Sequence, residues 1–357
     1  MNKDWKEFLT SINAQIQTSD NNIESVNNYE LSIDEEQDAF ENLVLTDLSQ
    51  YSVIEAKGDD VIDFFQGQFT NDMKLVDNNT SQLNAYCNPK GRILATFRIT
   101  QQDDRYLLTM HSSIVEATLK RLKMFVMRSK VELRDISDEI IKIGVAGNDA
   151  PPALSQVFEN LPNKTDESIT KNNISILKLA GDLPRYEIYG SVTDMKQIWE
   201  TLSPQAKCIG ANSWNILTIR AAIPEVVAET VEEFVPQMVN LQAINSLSFT
   251  KGCYPGQEVV ARMHYLGKLK RRLFIGKMDL DSLPPAGTAI YSQQGDSQKV
   301  GQIVTASWSK NNQVELLAVL QIEKAEKGGL HIESAPQSLI ELIDLPYSLD
   351  EKTEEKG

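Results

Sequence analysis

Eight residues, Lys251-Gly252-Cys253-Tyr254-Pro255-Gly256-Gln257-Glu258, restrict this chain more than any other stretch. Two glycines bracket a tripeptide that contains proline, which calls for a tight turn with exposed backbone. Gln257 to Tyr265 then has helical composition, with Val259, Val260 and Met263 along one side. Glu258 and Arg262 stand four apart with the acid first, the favourable order for a helical ion pair. Cys253 is thereby expected just before a helix N-terminus, with Lys251 two residues away. Helix dipole and neighbouring cation both favour a thiolate over a thiol. These features predict a nucleophile, a redox group or a metal ligand; the competing reading is a small buried hydrophobe, the ordinary fate of a free cysteine.

The rest of the chain reads as an α+β protein. Residues 1–42 are polar and acidic and read as a lead-in outside the core. Val44, Leu48, Val53 and Ile54 suggest short strands, and Val61, Ile62, Phe64 and Phe65 give a short helix its apolar side before Gly67. Gln82 to Tyr86 and Ile93 to Thr100 flank Asn88-Pro89-Lys90-Gly91, a strand–turn–strand pattern. Ile114, Thr118, Leu122, Phe125 and Val126 fall at helical spacing and predict a helix over 113–126. Strands over Ile140 to Ala146, Ile174 to Leu179 and Tyr186 to Tyr189, with a helix over Asp194 to Leu202, predict a middle α+β lobe across 136–220. From Leu269 onward, short apolar runs separated by Gly, Pro, Ser and Asp predict a small β-barrel or sandwich.

Composition narrows the function. The chain has 357 residues, 35 Lys and Arg, 50 Asp and Glu, and a net charge of −15. That balance disfavours a polyanion-binding surface over the whole molecule. Bases nevertheless concentrate in 119–134 (Lys120, Arg121, Lys123, Arg128, Lys130, Arg134) and in 250–277, where Arg271 and Arg272 fall. These islands read as an anion site or as solvated faces. Three cysteines, Cys87, Cys208 and Cys253, make no disulfide framework. No apolar run has the length that spans a bilayer, and the first ten residues carry no secretory h-region. Walker A, dinucleotide-binding, nucleophile-elbow and zinc-spacing motifs are absent from the sequence.

The octapeptide closely resembles the K-G-C-Y-x-G-Q-E signature of the YgfZ family, folate-binding proteins related to the glycine-cleavage T-protein, an aminomethyltransferase. Gln66-Gly67-Gln68-Phe69-Thr70-Asn71-Asp72, Tyr86-Cys87-Asn88-Pro89-Lys90-Gly91-Arg92 and Phe125-Val126-Met127-Arg128-Ser129-Lys130-Val131 resemble further family segments. Ala222-Ile223-Pro224, then Phe234-Val235-Pro236-Gln237 and Asn240-Leu241, follow in the same order. The resemblance runs from about residue 43 to 348. It implies a three-lobed aminomethyltransferase-like fold around a central channel for tetrahydrofolate or a related reduced folate. Residues 43–135 with 221–268 would form the folate-binding lobe, 136–220 the middle lobe, 269–348 the C-terminal barrel and 349–357 a disordered tail. It also implies support for the assembly or repair of iron–sulfur enzymes. Through them the chain would support tRNA modification, its contact with tRNA being indirect. The sparse cysteines for their part predict the reducing cytoplasm, and a monomer without a membrane partner is expected.

On that resemblance Cys253 and Lys251 are the expected chemical pair at the channel mouth. Gly252, Tyr254, Gly256, Gln257, Glu258 and Arg262 are their expected support. Asn71, Asp72, Arg92, Arg220 and Glu225 are the expected cofactor-binding residues. Two departures bear on the chemistry. The aminomethyltransferase has an acidic pair soon after its N-x-x-G turn, where this chain has Ile93, Leu94, Ala95, Thr96 and Phe97. Amine transfer needs charge near the reacting nitrogen, so this departure weighs against the one-carbon transferase alternative. Arg220 stands where relatives often have Glu; either Asp72 or Glu225 meets the pterin donors instead, or folate affinity is reduced. A direct tRNA-binding module is the remaining alternative.

Overall fold

A computed structural model describes residues 1–19, 21–293 and 298–349. The Asn88–Arg92 turn joins the strands Ser81–Cys87 and Ile93–Gln102: Asn88 Oδ1 accepts from the backbone N–H of Lys90 at 2.8 Å and of Arg92 at 3.0 Å. With Arg105–His111, Tyr51–Lys57 and Glu132–Asp135 they form a five-stranded antiparallel sheet. The apolar alternation of Ala95, Phe97 and Ile99 faces the helices Val61–Gln66 and Val115–Val126. Phe69 anchors that core, its ring 4.6 Å from both Phe65 and Phe97. Burying rings of this size supplies a large share of a lobe's hydrophobic stabilisation.

A second sheet has six strands in the order Ser168–Lys171, Ile174–Lys178, Arg185–Gly190, Ile141–Ala146, Val44–Asp47 and Lys207–Cys208. The last pair is parallel and the others antiparallel. The helix Val192–Leu202 packs Met195, Ile198, Trp199 and Leu202 into its core. The third sheet, built from Arg271–Asp279, Ala289–Ser292, Lys299–Trp308, Gln313–Gln321, Leu330–Ile332 and Glu341–Ile343, curls on itself. Its two edges meet where the Ile340 N–H donates to the Leu330 carbonyl at 2.8 Å. The expected mixed fold and curled C-terminal β-structure are both present.

Two expected boundaries move. Residues 1–42 are part of the core and not an outlying lead-in. The helix Lys3–Ser11 buries Trp5 and Leu9, and Trp5 Nε1 donates to Asp47 at 2.7 Å. Glu36, 2% exposed, accepts from the Gly210 N–H at 3.0 Å and caps the helix Ala211–Arg220; burial pushes its carboxyl up to about 7. The acidic residues that look solvated in sequence thus include long-range caps. Second, Val44–Asp47 pairs with Ile141–Ala146, so it belongs to the middle-lobe sheet and not to the folate lobe. The expected disordered tail lies, from residue 350, outside the described residues.

The Cys253 turn docks on the Asn88–Arg92 turn through two glycines. Gly256 has φ +84°, and a Cβ there would stand 2.5 Å from the Asn88 carbonyl oxygen and 2.6 Å from Gly91 Cα. Gly91, at φ +71°, faces Val259 of the helix Gln257–Leu266 in turn. Gly252 is different: a Cβ on it would meet nothing within 4 Å, so only one of the two bracketing glycines shapes the turn. Gly256→Ala is therefore expected to destabilise the protein by about 2 kcal/mol or more, and Gly252→Ala by no more than ~0.5 kcal/mol. Chemical denaturation of both variants checks this, and equal stabilities would contradict it.

Candidate functional site

The first two sheets and the segment after the Ala211–Arg220 helix enclose a central cavity. One chamber, of about 60 Å³, is walled by Tyr51, Lys142, Arg185, Glu187 and Glu225 among others. A second, of about 230 Å³, shares Leu83, Arg98, Ala180 and Ile223 with the first and extends to Asn245 and Tyr347. Each wall charge comes from a strand or loop that sequence pattern explains. Arg98, Lys142 and Glu187 interrupt apolar strands, so strand pairing carries them out of water whatever their own preference.

These charges are mostly paired. Lys142 Nζ lies 3.0 Å from Glu187 and 4.1 Å from the centre of the Tyr51 ring. Burial brings the Lys142 ammonium down from its ordinary value, with Glu187 opposing. Burial pushes Glu187 up, but Lys142 and Arg98 outweigh it and hold the carboxyl below its usual range. Arg98 pairs with Asp166 and donates to Ser81 Oγ at 2.9 Å. Glu225 accepts from the Tyr51 hydroxyl at 2.6 Å, and burial raises its carboxyl above the ordinary value. The cavity therefore offers a carboxylate, hydroxyls and guanidinium groups between the apolar faces of Leu83, Phe97, Ile223 and Val226.

The expected site residues fall in three places. Glu225 lines the cavity. Asn71 and Asp72 do not line it; Asn71 builds its outer support. Asn71 Nδ2 donates to the carbonyls of Leu83 at 3.2 Å and Asn245 at 2.6 Å, both residues of the larger chamber. Asp72 instead caps the turn Met73–Leu75, accepting from the Lys74 N–H at 3.1 Å. Arg92 donates to the Glu233 carbonyl at 2.6 Å, away from both chambers. Arg220 points to the C-terminal sheet and grips Glu315 with two bonds, of 2.9 and 2.6 Å. Its position on the last turn of a helix that packs against that sheet explains the difference.

The Cys253 turn also differs from expectation. Cys253 is exposed, but it lines neither chamber. Lys251 is buried at 7% exposure; its Nζ donates to the carbonyls of Phe69 and, at 3.0 Å, of Asn71. Burial lowers its pKa to about 8, opposed by Asp72. Lys251 thus connects the turn to the cavity wall through Asn71. Tyr254 is buried in the same cluster as Cys87, whose thiol burial pushes up to about 12. Gln257 opens the helix, its N–H donating to the Tyr254 carbonyl at 3.2 Å. Glu258 and Arg262 are both exposed and, among the described residues, form no ion pair; two solvated side chains gain little from pairing. Tyr51, Arg98, Lys142, Arg185 and Glu187 are cavity residues that sequence reasoning missed. Their signal was a charge, or a tyrosine hydroxyl, set inside an apolar strand.

Two sheets around a charged cavity, with a third, curled sheet beside them, give the aminomethyltransferase class of fold. Residues 7–248 match the GCVT N-terminal domain family. The fold resembles that of the glycine cleavage system aminomethyltransferase T from Bartonella henselae, with a TM-score of 0.76 across 98% of this chain and 97% of that one, at 13% identity. The chain belongs, within this class, to the YgfZ family. It is 33% identical over 306 residues to the tRNA-modifying protein YgfZ of Colwellia psychrerythraea, covering 85% of this chain and 93% of that one. It is 29% identical over 310 residues to the protein of the same name from Yersinia enterocolitica, covering 87% and 94%. No helix among the described residues is long and apolar enough to cross a membrane.

The buried pair on the cavity wall yields a stability test. Lys142→Met leaves Glu187 buried without its nearest cation and is expected to cost roughly 3 kcal/mol or more. Adding Glu187→Gln to the same chain should restore most of that loss. Denaturant unfolding of the single and double variants decides; a single variant as stable as the parent would contradict the pairing.

Proposed function

We propose that this protein binds a reduced folate in the central cavity and supports iron–sulfur enzymes, and through them tRNA modification, in the cytoplasm. The observation that carries this reading is the link from Cys253 to the cavity. The turn bearing the exposed thiol is fixed by Lys251 to Asn71, and Asn71 holds two residues of the chamber wall. A ligand that shifts the wall therefore acts on the position of the thiol.

The wall chemistry fits a pterin. Glu225 is the acceptor suited to a heterocycle edge rich in N–H donors, and Tyr51 orients it. Leu83, Phe97 and Val226 offer flat apolar contact to ring faces. Arg220 takes no part, because Glu315 occupies its guanidinium. Bound folate would supply one-carbon or pterin chemistry next to these groups. The segment Ile93 to Phe97 contains no carboxylate, and Thr96 Oγ1 accepts from the Val226 N–H at 2.8 Å. This supports a folate-binding accessory role over aminomethyl transfer. The name carried by the relatives supports the connection to tRNA. In this reading iron–sulfur client enzymes are the partners and contact with tRNA is indirect.

Calorimetric titration with 5-formyltetrahydrofolate is expected to show binding to the wild-type chain and loss of at least tenfold in affinity for Glu225→Gln. Cys253→Ala should bind folate and melt as the parent does, yet fail to restore thiomethylated tRNA in cells lacking the protein. No binding by the parent would end the folate reading, and full restoration by Cys253→Ala would remove the thiol from it.

A further inference from the structure

We propose that Arg185 is the seat of a carboxylate carried by the ligand of the central cavity. The wall charges around it have partners of their own. Arg98 contacts Asp166, Lys142 contacts Glu187, and Glu225 takes the Tyr51 hydroxyl. Glu187 also accepts from the Tyr189 hydroxyl at 2.8 Å. Arg185 is the exception. It is 3% exposed and lines the chamber, yet among the described residues no carboxylate forms an ion pair with it. Its Nη1 donates to Thr218 Oγ1 at 3.1 Å, while its Nε has no hydrogen-bond partner. The contact with Trp214, 5.3 Å from Cζ to the ring centre, uses the guanidinium face and leaves the Nε–H without a partner.

A guanidinium removed from water without an anion in direct contact is costly, and a protein that keeps one at a cavity wall gains when a ligand completes the pair. Burial lowers the Arg185 pKa to about 10, with Glu187 and Glu225 opposing it without forming an ion pair. The planar fork of N–H donors matches a carboxylate in geometry. Glu187 and Glu225 line the same chamber, so a phosphate, with two charges on one compact group, meets more repulsion there than a single carboxylate of a dicarboxylate does. The space of about 60 Å³ beside these groups also suits a carboxylate better than a bulkier anion. The inference rests on the folate reading only for the identity of the ligand: the glutamyl tail of a reduced folate supplies carboxylates here only with its pterin edge placed off Glu225, which lines the same chamber, whereas a small free dicarboxylate supplies the same group without that condition.

Calorimetry on the full chain tests this with four probes: glutarate, its neutral diamide, p-aminobenzoylglutamate and 6-methyltetrahydropterin. At least one of the two carboxylate probes should bind, glutarate at least tenfold more tightly than the diamide if glutarate is the one. Tight glutarate points to a free dicarboxylate, and p-aminobenzoylglutamate alone points to the folate tail. Arg185→Gln should lose that binding at least tenfold and Arg185→Lys should recover part of it, with the tetrahydropterin bound equally by all three proteins. Failure of both carboxylate probes, or glutarate and diamide binding alike, overturns the assignment on the wild-type protein alone. Failure of the tetrahydropterin while a carboxylate probe binds overturns the folate reading and leaves Arg185 in place.

Discussion

A buried ammonium group holds the distinctive turn of this protein to its first lobe. Lys251 is drawn out of water and aimed at two backbone carbonyls, those of Phe69 and Asn71. An ammonium in that position is tolerable only while both acceptors stay in place, so the turn and the Phe69–Asp72 segment have to move together. On the far side of the turn, Gly256 sits against Asn88 and Gly91 with no room for a side chain. The exposed cysteine is therefore carried on a loop fastened at both ends, which differs from a thiol on a free surface loop. Its neighbour in sequence, Lys251, spends its charge on the backbone and serves as a positioning residue.

The cavity follows a related logic. Strands from two sheets bring Arg98, Lys142, Arg185 and Glu187 to one enclosed place, and the loop after the Ala211–Arg220 helix adds Glu225. Buried ions of this kind seldom add stability over apolar packing, and keeping several together fits a binding role better than a structural one. The pairing is incomplete at Arg185 and neutral-leaning at Glu225, whose carboxyl burial raises. Asn71 joins the two regions. Its backbone carbonyl receives Lys251 and its side chain fastens Leu83 and Asn245.

Local pattern made much of this readable. The Asn88–Arg92 turn, the helix after Gly256 and the Val192–Leu202 helix announce themselves by turn residues and periodicity, and the eight-residue motif identified the family. What stayed hidden depends on distant pairing. Nothing near Glu36 in sequence shows that Gly210 needs its carboxylate, and nothing near Arg220 shows Glu315. The expectation that Lys251 acts on Cys253 used sequence proximity, whereas the ammonium turns toward residues some 180 positions earlier. Gly252 looked as necessary as Gly256 because spacing cannot reveal which glycine faces backbone and which faces open space. Lys142 and Glu187 could have been noticed as charges within apolar strands, but only the sheet order puts them 3.0 Å apart.

The central claim is that the state of the cavity reaches Cys253 through Lys251 and Asn71. Its most direct test is the rate at which iodoacetamide alkylates Cys253, followed by mass spectrometry with and without saturating 5-formyltetrahydrofolate. In the wild-type protein the rate should change severalfold when ligand is added, and in Lys251→Met that response should vanish although ligand still binds. A Cys253 rate that is indifferent to bound folate in the wild-type chain would contradict the account.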